Sequence, residues 1–541
     1  MSIKSSVMGT ALALAMLAGA AAADNRTIDG SGNNLGSPLM GAAGSMLIRE
    51  ASGCHYIDQI GQMMPRSSPR MVSNALSPQG GATRSHRGLT SMHWQWGQFI
   101  DHDFALVSEG HEFAPISVPA GDPWFDPQGT GTAMIPFTRS TYANGVTSPR
   151  EHANTLTHWI DGSMVYGSDQ TRATALRTGT GGRLAESDPG FMVRNTGGLP
   201  NGGGSSPDFF LAGDVRANEQ VGLTSIHTLF LREHNRLADE IGAANPTWSD
   251  EEIYQRARKI VGAQVQAITY NEYLPTLLGG HAPSGGAYDA NVDASISTSF
   301  SSAAFRLGHT MLNERLLRLN EDGSTFAGGH LNLHEQFFNP EIITEAGSLD
   351  AILRGLAHQQ ANEIDTRVID DVRNLLFGPP GSGGLDLVAL NLQRGRDHGI
   401  ADYNTMRQDF GLAPVATFDQ ITSDPLLAAA LANVYSDVDN IDAWIGLMAE
   451  DHLAGAGVGE TLATILVDQF ERLRDGDRYF YLWDDDLADI RAEIHATRLS
   501  DIILRNTGII DISANVFQIP APGAVGMLAL GALAATRRRR A

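Results

Sequence analysis

Cysteine is all but missing from this chain: Cys54 stands alone among 541 residues, which rules out any intramolecular disulfide. Lysine is nearly as scarce, present only at Lys4 and Lys259, so the positive charge is carried by arginine. Positive charge is itself in deficit, with 38 basic against 61 acidic residues and a net charge of −23. Such acidity argues against a nucleic-acid partner and for high solubility, although one arginine in a cleft can still receive a small anion. Strand signals are few throughout, which leaves a mostly α-helical body. What is present is ordinary for a globular protein with a large core, 42% hydrophobic and 18% charged, with length for roughly two to four domains.

The two ends differ from the body. Residues 1–23 carry Lys4, an apolar stretch from Val7 to Leu17 and a small-residue end, Ala21-Ala22-Ala23. This is the pattern of a secretory signal peptide cut after Ala23. Residues 518–541 hold Ile519-Pro-Ala-Pro-Gly523, an apolar stretch from Val525 to Ala535, and then Arg537 to Arg540. The stretch falls short of the about 20 residues a spanning helix needs, and the arginines behind it fit the positive-inside rule. A frayed basic terminus is the plain alternative. The segment resembles a PEP-CTERM sorting tail with a variant proline motif. That likeness implies export in a Gram-negative bacterium to the periplasm, cell surface or extracellular matrix, with transient membrane contact through the tail and processing by exosortase. An exported chain without disulfides draws its rigidity from other cross-links.

Between the ends, chemistry concentrates in a few segments. Residues 94–106, Trp-Gln-Trp-Gly-Gln-Phe-Ile-Asp-His-Asp-Phe-Ala-Leu, predict a largely apolar helix. At about 100° per residue Gln98 and His102 share a face with Asp101 beside them, while Asp103 points to a different neighbour. Such a helix suits a crossing above a cofactor, whereas an Asp-His-Asp triplet taken alone is usually a surface cluster. Residues 110–149 and 178–207, biased toward Gly, Pro and small polar residues, read as loops. Thr157, Asp161 and Ser163 place three oxygen side chains in one turn-like segment. With the Trp159 carbonyl and Asp103 they make most of the about six to eight oxygens that calcium takes; the alternative is a plain hydrogen-bonded turn. Arg216 and Glu219, three apart, read as one helical face, with a simple ion pair as the alternative, ahead of a long helix over 221–241. His227 and His234 in that helix lack the His-Glu-x-x-His spacing and read as core. Residues 305–310, Phe-Arg-Leu-Gly-His-Thr, present His309 with Gly308 leaving room beside it. Asn391 and Arg394 are again three apart, and residues 486–498 predict an amphipathic helix.

Trp96-Gly-Gln-Phe-Ile-Asp-His-Asp103 resembles the distal-helix signature of the animal-type haem peroxidase superfamily, which includes peroxidasin, lactoperoxidase and myeloperoxidase. The likeness runs from about Asn25 to about Phe517. It implies a mainly α-helical fold over residues 24–517 that holds haem b between a distal and a proximal helix. It also implies an enzyme that uses hydrogen peroxide to oxidise a small reducing substrate. By matching position, His102 is the acid–base group, Arg216 stabilises the charge of O–O cleavage, and Gln98 helps to hold water or a halide. His309 becomes the haem-iron ligand with Asn391 behind it, Arg394 pairs a propionate, and Asp101 and Glu219 form esters to the haem. The family's Ca2+ loop falls on Asp103, Thr157, Trp159, Asp161 and Ser163. The chain departs from its mammalian relatives in lacking disulfides. Gln220 stands where myeloperoxidase has the methionine of a third haem link, so chloride is the least favoured donor, while bromide, iodide, thiocyanate and phenols stay open. A fatty-acid dioxygenase of the same superfamily is the nearest rival, but Arg306 occupies the place of its radical-forming tyrosine. A non-catalytic cell-surface adhesion protein on the same fold is the other, and retention of His102, Arg216, His309 and Asn391 argues against it.

Overall fold

The computed structural model describes residues 24–519, and both the signal-peptide segment and the tail beyond Ile519 lie outside them. The body is mainly helical. Its principal helices are α1 (Pro69–Leu76), α2 (Ser91–Phe104), α3 (Val221–Ala244), α4 (Asp250–Ile268), α5 (Ser348–His358), α6 (Leu387–Asp397) and α7 (Glu460–Asp475). The sheets among the described residues are three two-stranded antiparallel ladders. No helix among these residues is long and apolar enough to cross a membrane. Cys54 is half-buried with a free thiol.

The centre is the hairpin of α3 and α4. α3 is buried along most of its length, and it buries polar side chains such as Thr224, His227, Glu233 and His234 beside its apolar ones. It runs three residues beyond the expected end, and Gln220 caps its start by accepting from the Gly222 N–H at 2.7 Å. Ser249 and Glu252 open α4 with a reciprocal capping box. A single π-helical turn, Thr269–Tyr273, follows directly.

α2 packs against this hairpin, α5 and the segment around His309. Trp96, Phe99, Ile100 and Phe104 are fully buried. The Trp96 indole donates to Thr269 Oγ1 at 3.2 Å, and the Phe99 and Phe230 rings stack at 5.1 Å. Burial of each such side chain stabilises by roughly 1.5–3 kcal/mol. The helix begins three residues earlier than the sequence suggests and stops at Phe104, where Ala105 turns extended. Its start is tied to remote chain: the Thr90 N–H and hydroxyl donate to the carbonyls of Phe517 and Val516, and the Ser91 N–H to Gln359. Gln518 bridges to Leu89 and the Ile519 N–H donates to Gly88 O.

α6 is positioned through its N-cap, Asp386, which accepts from the Ala389 N–H at 3.1 Å. The buried Arg70 of α1 grips that cap at 2.7 Å while its other nitrogens hold Asp122 and Asn374. Removing one partner from such a buried charged set is strongly destabilising.

Two sequence expectations need correction. The span read as loop over 110–149 contains two of the ladders, Glu109–Phe113 with Thr138–Ser140 and Ile116–Ser117 with Met134–Ile135. Ile116, Val118, Ile135 and Phe137 bury together as a small second core, enough to order a Gly- and Pro-rich stretch. The helix expected over 486–498 is split into a 310 turn, Asp485–Leu487, and a short helix, Arg491–Ala496. The Asp484 side chain takes the Asp486 N–H, a local bond that competes with helix propagation. Residues 178–207 are irregular, as expected, yet Leu184 and Met192 within them are buried.

Candidate active site

A cavity of about 330 Å³ lies between α2 and the 310 helix Ala304–Thr310. Gln98, Asp101, His102, Arg216, Glu219, His309 and Arg394 all line it, so residues spread over 297 positions of sequence meet at one place.

The first histidine sits in a charge network. His102 is 3% exposed, with Nδ1 3.5 Å from an Asp214 carboxylate oxygen. Arg216 donates to both oxygens of Asp214 at 2.9 Å through Nε and Nη2, and Nη2 also reaches Ala105 O at 3.1 Å. Its Nη1 lies 3.5 Å from Asp101. Burial drives the His102 imidazole well below its ordinary pKa, Arg216 adds to the effect, and Asp214 opposes it. Burial alone raises the Asp214 carboxyl, but Arg216 and His102 overcome this and hold it below the usual carboxylate range. Asp101 and Glu219 are pushed the other way by burial, to about 6 and about 7, against the pull of Arg216.

Sequence reasoning missed Asp214, although its position two residues before Arg216 is a recognisable side-chain-to-backbone turn signal. That same turn corrects the expected helical face of Arg216 and Glu219. Asp214 accepts the Arg216 N–H at 2.8 Å, residues 215–218 form turns, and the Glu219 N–H closes on Arg216 O at 2.8 Å. The helix begins only after Gln220. Gln220 also donates to Gln98 Oε1 at 3.0 Å, a bond shared with Gln95 at 3.3 Å. This leaves Gln98 Nε2 without a protein partner among the described residues.

The second histidine is backed by an amide. His309 stands in the 310 helix, so the expected proximal helix is of the tighter kind. Ala303 leaves helical angles at φ −136°, and the Arg306 N–H reaches back only three residues, to Ala303 O. Asn391 on α6 bonds His309 Nδ1 at 3.0 Å and accepts from Arg306 Nη1 at 3.2 Å. Burial, helped by Arg306, pushes His309 down to about 3. Arg394, one turn after Asn391, donates to Ser140 Oγ at 2.8 Å and to Asp397 at 2.9 Å, over the Phe137 ring. A methyl group at Gly308 meets only Trp94 Cβ, at 3.8 Å, so protein contacts alone do not demand glycine there.

On the other side of α2, Asp103 reaches the 157–163 segment. Its carboxylate accepts from the N–H groups of Asp161 and Gly162 at 3.0 Å each, and the Ser163 hydroxyl donates to Asp103 O at 2.6 Å. Gly162 adopts φ 82°, and a Cβ there comes within 3.1 Å of the Tyr166 ring. The Trp159 indole is anchored on Gly30 O at 3.1 Å. Thr157 Oγ1 and Asp161 Oδ2 are buried without a hydrogen-bond partner. Burial and the nearby Asp161 push the Asp103 carboxyl up, to about 8. Adjacent buried carboxylates with orphaned oxygens fit a hard divalent cation such as calcium.

The family model for animal haem peroxidases matches residues 25–517. The chain belongs to that family. It is a haem-dependent peroxidase with hydrogen peroxide as oxidant. Peroxinectin A of Dictyostelium discoideum is 36% identical over 512 residues, covering 91% of this chain and 95% of the relative. The solved structure of Peroxidase A from the same organism matches with a TM-score of 0.86 at 35% identity, over 92% of this chain and all of that one. The fatty acid alpha-dioxygenase of Oryza sativa, with a TM-score of 0.75 at 21% identity over 92% of this chain and 88% of its own, shares the fold alone.

In this peroxidase the cavity fits haem. Its volume is at the lower end of the about 300–1,000 Å³ usual for cofactor sites. His309 is half-buried and neutral, with Nε2 free of protein partners among the described residues. Leu307, Leu387 and Leu390 supply apolar walls, and Arg306 and Arg394 supply cations for acidic groups.

Proposed function

We propose that this peroxidase is an exported enzyme that oxidises a small donor: bromide, iodide, thiocyanate or a phenol. One observation carries the reading: two neutral histidines, His102 buried and His309 half-buried, open onto one cavity, one beside an arginine–carboxylate pair and the other backed by an amide. His309 would hold the haem iron through Nε2. That ligation uses the tautomer with its proton on Nδ1 and the Asn391 oxygen as acceptor, the alternative orientation of the amide. Haem, when bound, supplies the iron and conjugated ring through which the two oxidising equivalents of peroxide pass to the donor. His102 takes a proton from one oxygen of hydrogen peroxide and returns it to the other, which leaves as water. Arg216, immobilised by Asp214 and Ala105, stabilises the negative charge that develops as the O–O bond breaks. Gln98 offers its free amide to water or a halide, Arg394 pairs a propionate, and Asp101 and Glu219 attach the haem through esters.

The same reading assigns calcium to Asp103, Thr157, the Trp159 carbonyl, Asp161 and Ser163. It treats residues 24–517 as the catalytic domain, residues 1–23 as a signal peptide, and residues 518–541 as a PEP-CTERM-like tail. The tail makes brief membrane contact and is processed by exosortase in a Gram-negative bacterium, which places the enzyme in the periplasm, at the cell surface or in the matrix. Against fatty-acid oxygenation stands Arg306, whose guanidinium donates to Ser301 and Asn391 where the dioxygenases carry a tyrosine. Steady-state assays of the purified, haem-loaded protein with each donor test the proposal. We expect peroxide-dependent oxidation of iodide, bromide, thiocyanate and phenols, with chloride slowest. Oxygen uptake on a long-chain fatty acid without peroxidase turnover overturns it.

A further inference from the structure

Away from the cavity and the calcium loop, three metal-ligating side chains converge. His86 lies five residues before α2, Glu363 five after α5, and His452 in the loop after the helix Ala443–Ala449. One donor atom from each lies within 4.8 Å of the other two. The Glu363 carboxylate is fixed by backbone, accepting from the Ile364 N–H at 3.1 Å and the His86 N–H at 2.8 Å. His86 Nδ1 stands 2.5 Å from the same carboxylate. That contact alone is an ordinary histidine–glutamate pair.

His452 does not fit such a pair. Its Nε2 is 2.8 Å from Ile364 O, so Nε2 carries the proton and Nδ1 keeps its lone pair. That lone pair lies 3.9 Å from Glu363 Oε1, which leaves two acceptors facing each other. A cation between them removes the conflict. An imidazole whose second nitrogen donates to a backbone carbonyl is also the usual arrangement behind a metal-bound histidine. The two imidazole rings lie 5.3 Å apart and 30° from parallel.

We propose that His86, Glu363 and His452 form a binding site for a divalent transition-metal ion of the zinc type. Two imidazoles and one carboxylate suit zinc, copper or nickel better than calcium, and three protein ligands leave one position for water. A tetrahedral ion with bonds of about 2.0–2.1 Å holds its donors about 3.3 Å apart. The solvent-exposed ring of His86 rotates to meet the ion, and a shift of about 0.6 Å brings His452 Nδ1 and Glu363 Oε1 from 3.9 Å to that separation. The ion ties positions 277 residues apart (His86 and Glu363) to a third segment. It thus provides a cross-link in a chain that has no disulfide. The strap it closes pairs with α2: Ser85 and Leu89 exchange hydrogen bonds with Ala361, and Ser91 bonds Gln359.

The test titrates Zn2+ into the calcium-loaded holoenzyme carrying Cys54→Ser, so that the free thiol cannot contribute, using a competing chelator and elemental analysis after gel filtration. We expect one zinc per chain and a higher thermal midpoint. His86→Ala and Glu363→Gln should each weaken zinc binding by more than about 100-fold, the upper range for outer-sphere partners. The haem spectrum and donor oxidation should not change, which also confirms that the variants fold. Zinc binding unaltered in both variants, or none in the parent protein at roughly 100 µM free zinc, overturns the assignment.

Discussion

His102 and His309 share neutrality and a cavity, yet the protein supports them differently. Behind His102 stands a carboxylate, Asp214, divided between the imidazole and Arg216. Behind His309 stands an amide, Asn391, divided between the imidazole and Arg306. A group that takes and returns a proton becomes a cation in passing, and a nearby anion eases that step. An iron ligand must stay unprotonated, and an amide orients it without supplying such an anion. On the proposed roles, the same residue type is thus tuned to two tasks by its second neighbour.

Removing either histidine should break this comparison most severely. His309→Ala is expected to abolish the haem absorption band or leave a pigment without turnover, read by spectroscopy and donor assay. His102→Ala should keep the haem but slow peroxide cleavage by roughly 10²–10⁴, and Arg216→Ala by roughly 10²–10³, both followed by stopped flow. Wild-type rates in these two variants exclude the assigned roles.

Exchanging the second neighbours sharpens it. Asp214→Asn withdraws the anion that raises His102, so the acid limb of the pH–rate profile should move to lower pH, with a plateau slower by about tenfold. Asn391→Asp gives His309 a partner of the distal kind. Haem should be retained, with the iron reduction potential lowered on the order of tens of millivolts. A potential equal to wild type rules out control by the amide.

The smallest effect concerns the two raised carboxyls. A carboxyl with a raised folded-state pKa contributes stability that is complete below its unfolded value and lost as pH rises through the folded one. The thermal midpoint of haem-free protein should therefore fall between about pH 4 and 8, as Asp101 and Glu219 ionise near 6 and 7. Glu219→Gln should flatten the upper part of that fall. In peroxide-treated holoenzyme the same substitution should leave one ester, so acidic organic solvent should free the haem only after Asp101 is replaced as well. Mass spectrometry showing free haem from the treated wild type excludes the links.

Legibility followed contiguity. Gln98, Asp101, His102 and Asp103 lie within one helix, and period alone separates the cavity face from the face that meets residues 157–163. Asn391 and Arg394 likewise share one helix. Where spacing is ambiguous the reading failed: three residues apart describes a helical face, but also the tight turn that Arg216 and Glu219 occupy. Asp214 was overlooked because its relation to His102 spans 112 positions and arises only when two elements pack. The ladders at 109–140 stayed hidden because a few buried apolar residues outweigh a composition that otherwise favours turns. His86, Glu363 and His452 show the same limit, since no local pattern joins them.

The tie between the start of α2 and residues 516 and 517 bears on biogenesis. The Thr90 hydroxyl finds its acceptor 426 residues further along the chain. At synthesis rates of about 5–20 residues per second, roughly 20–90 s pass before that acceptor exists. Throughout this interval the start of α2 lacks its tie to residues 516 and 517, and the Trp96 ring lacks the Phe517 ring that lies 6.0 Å from it. Completion of the pocket that both histidines line is therefore a terminal event in the making of this protein, and a nascent chain lacking residues 516 and 517 has no finished dock for the start of α2.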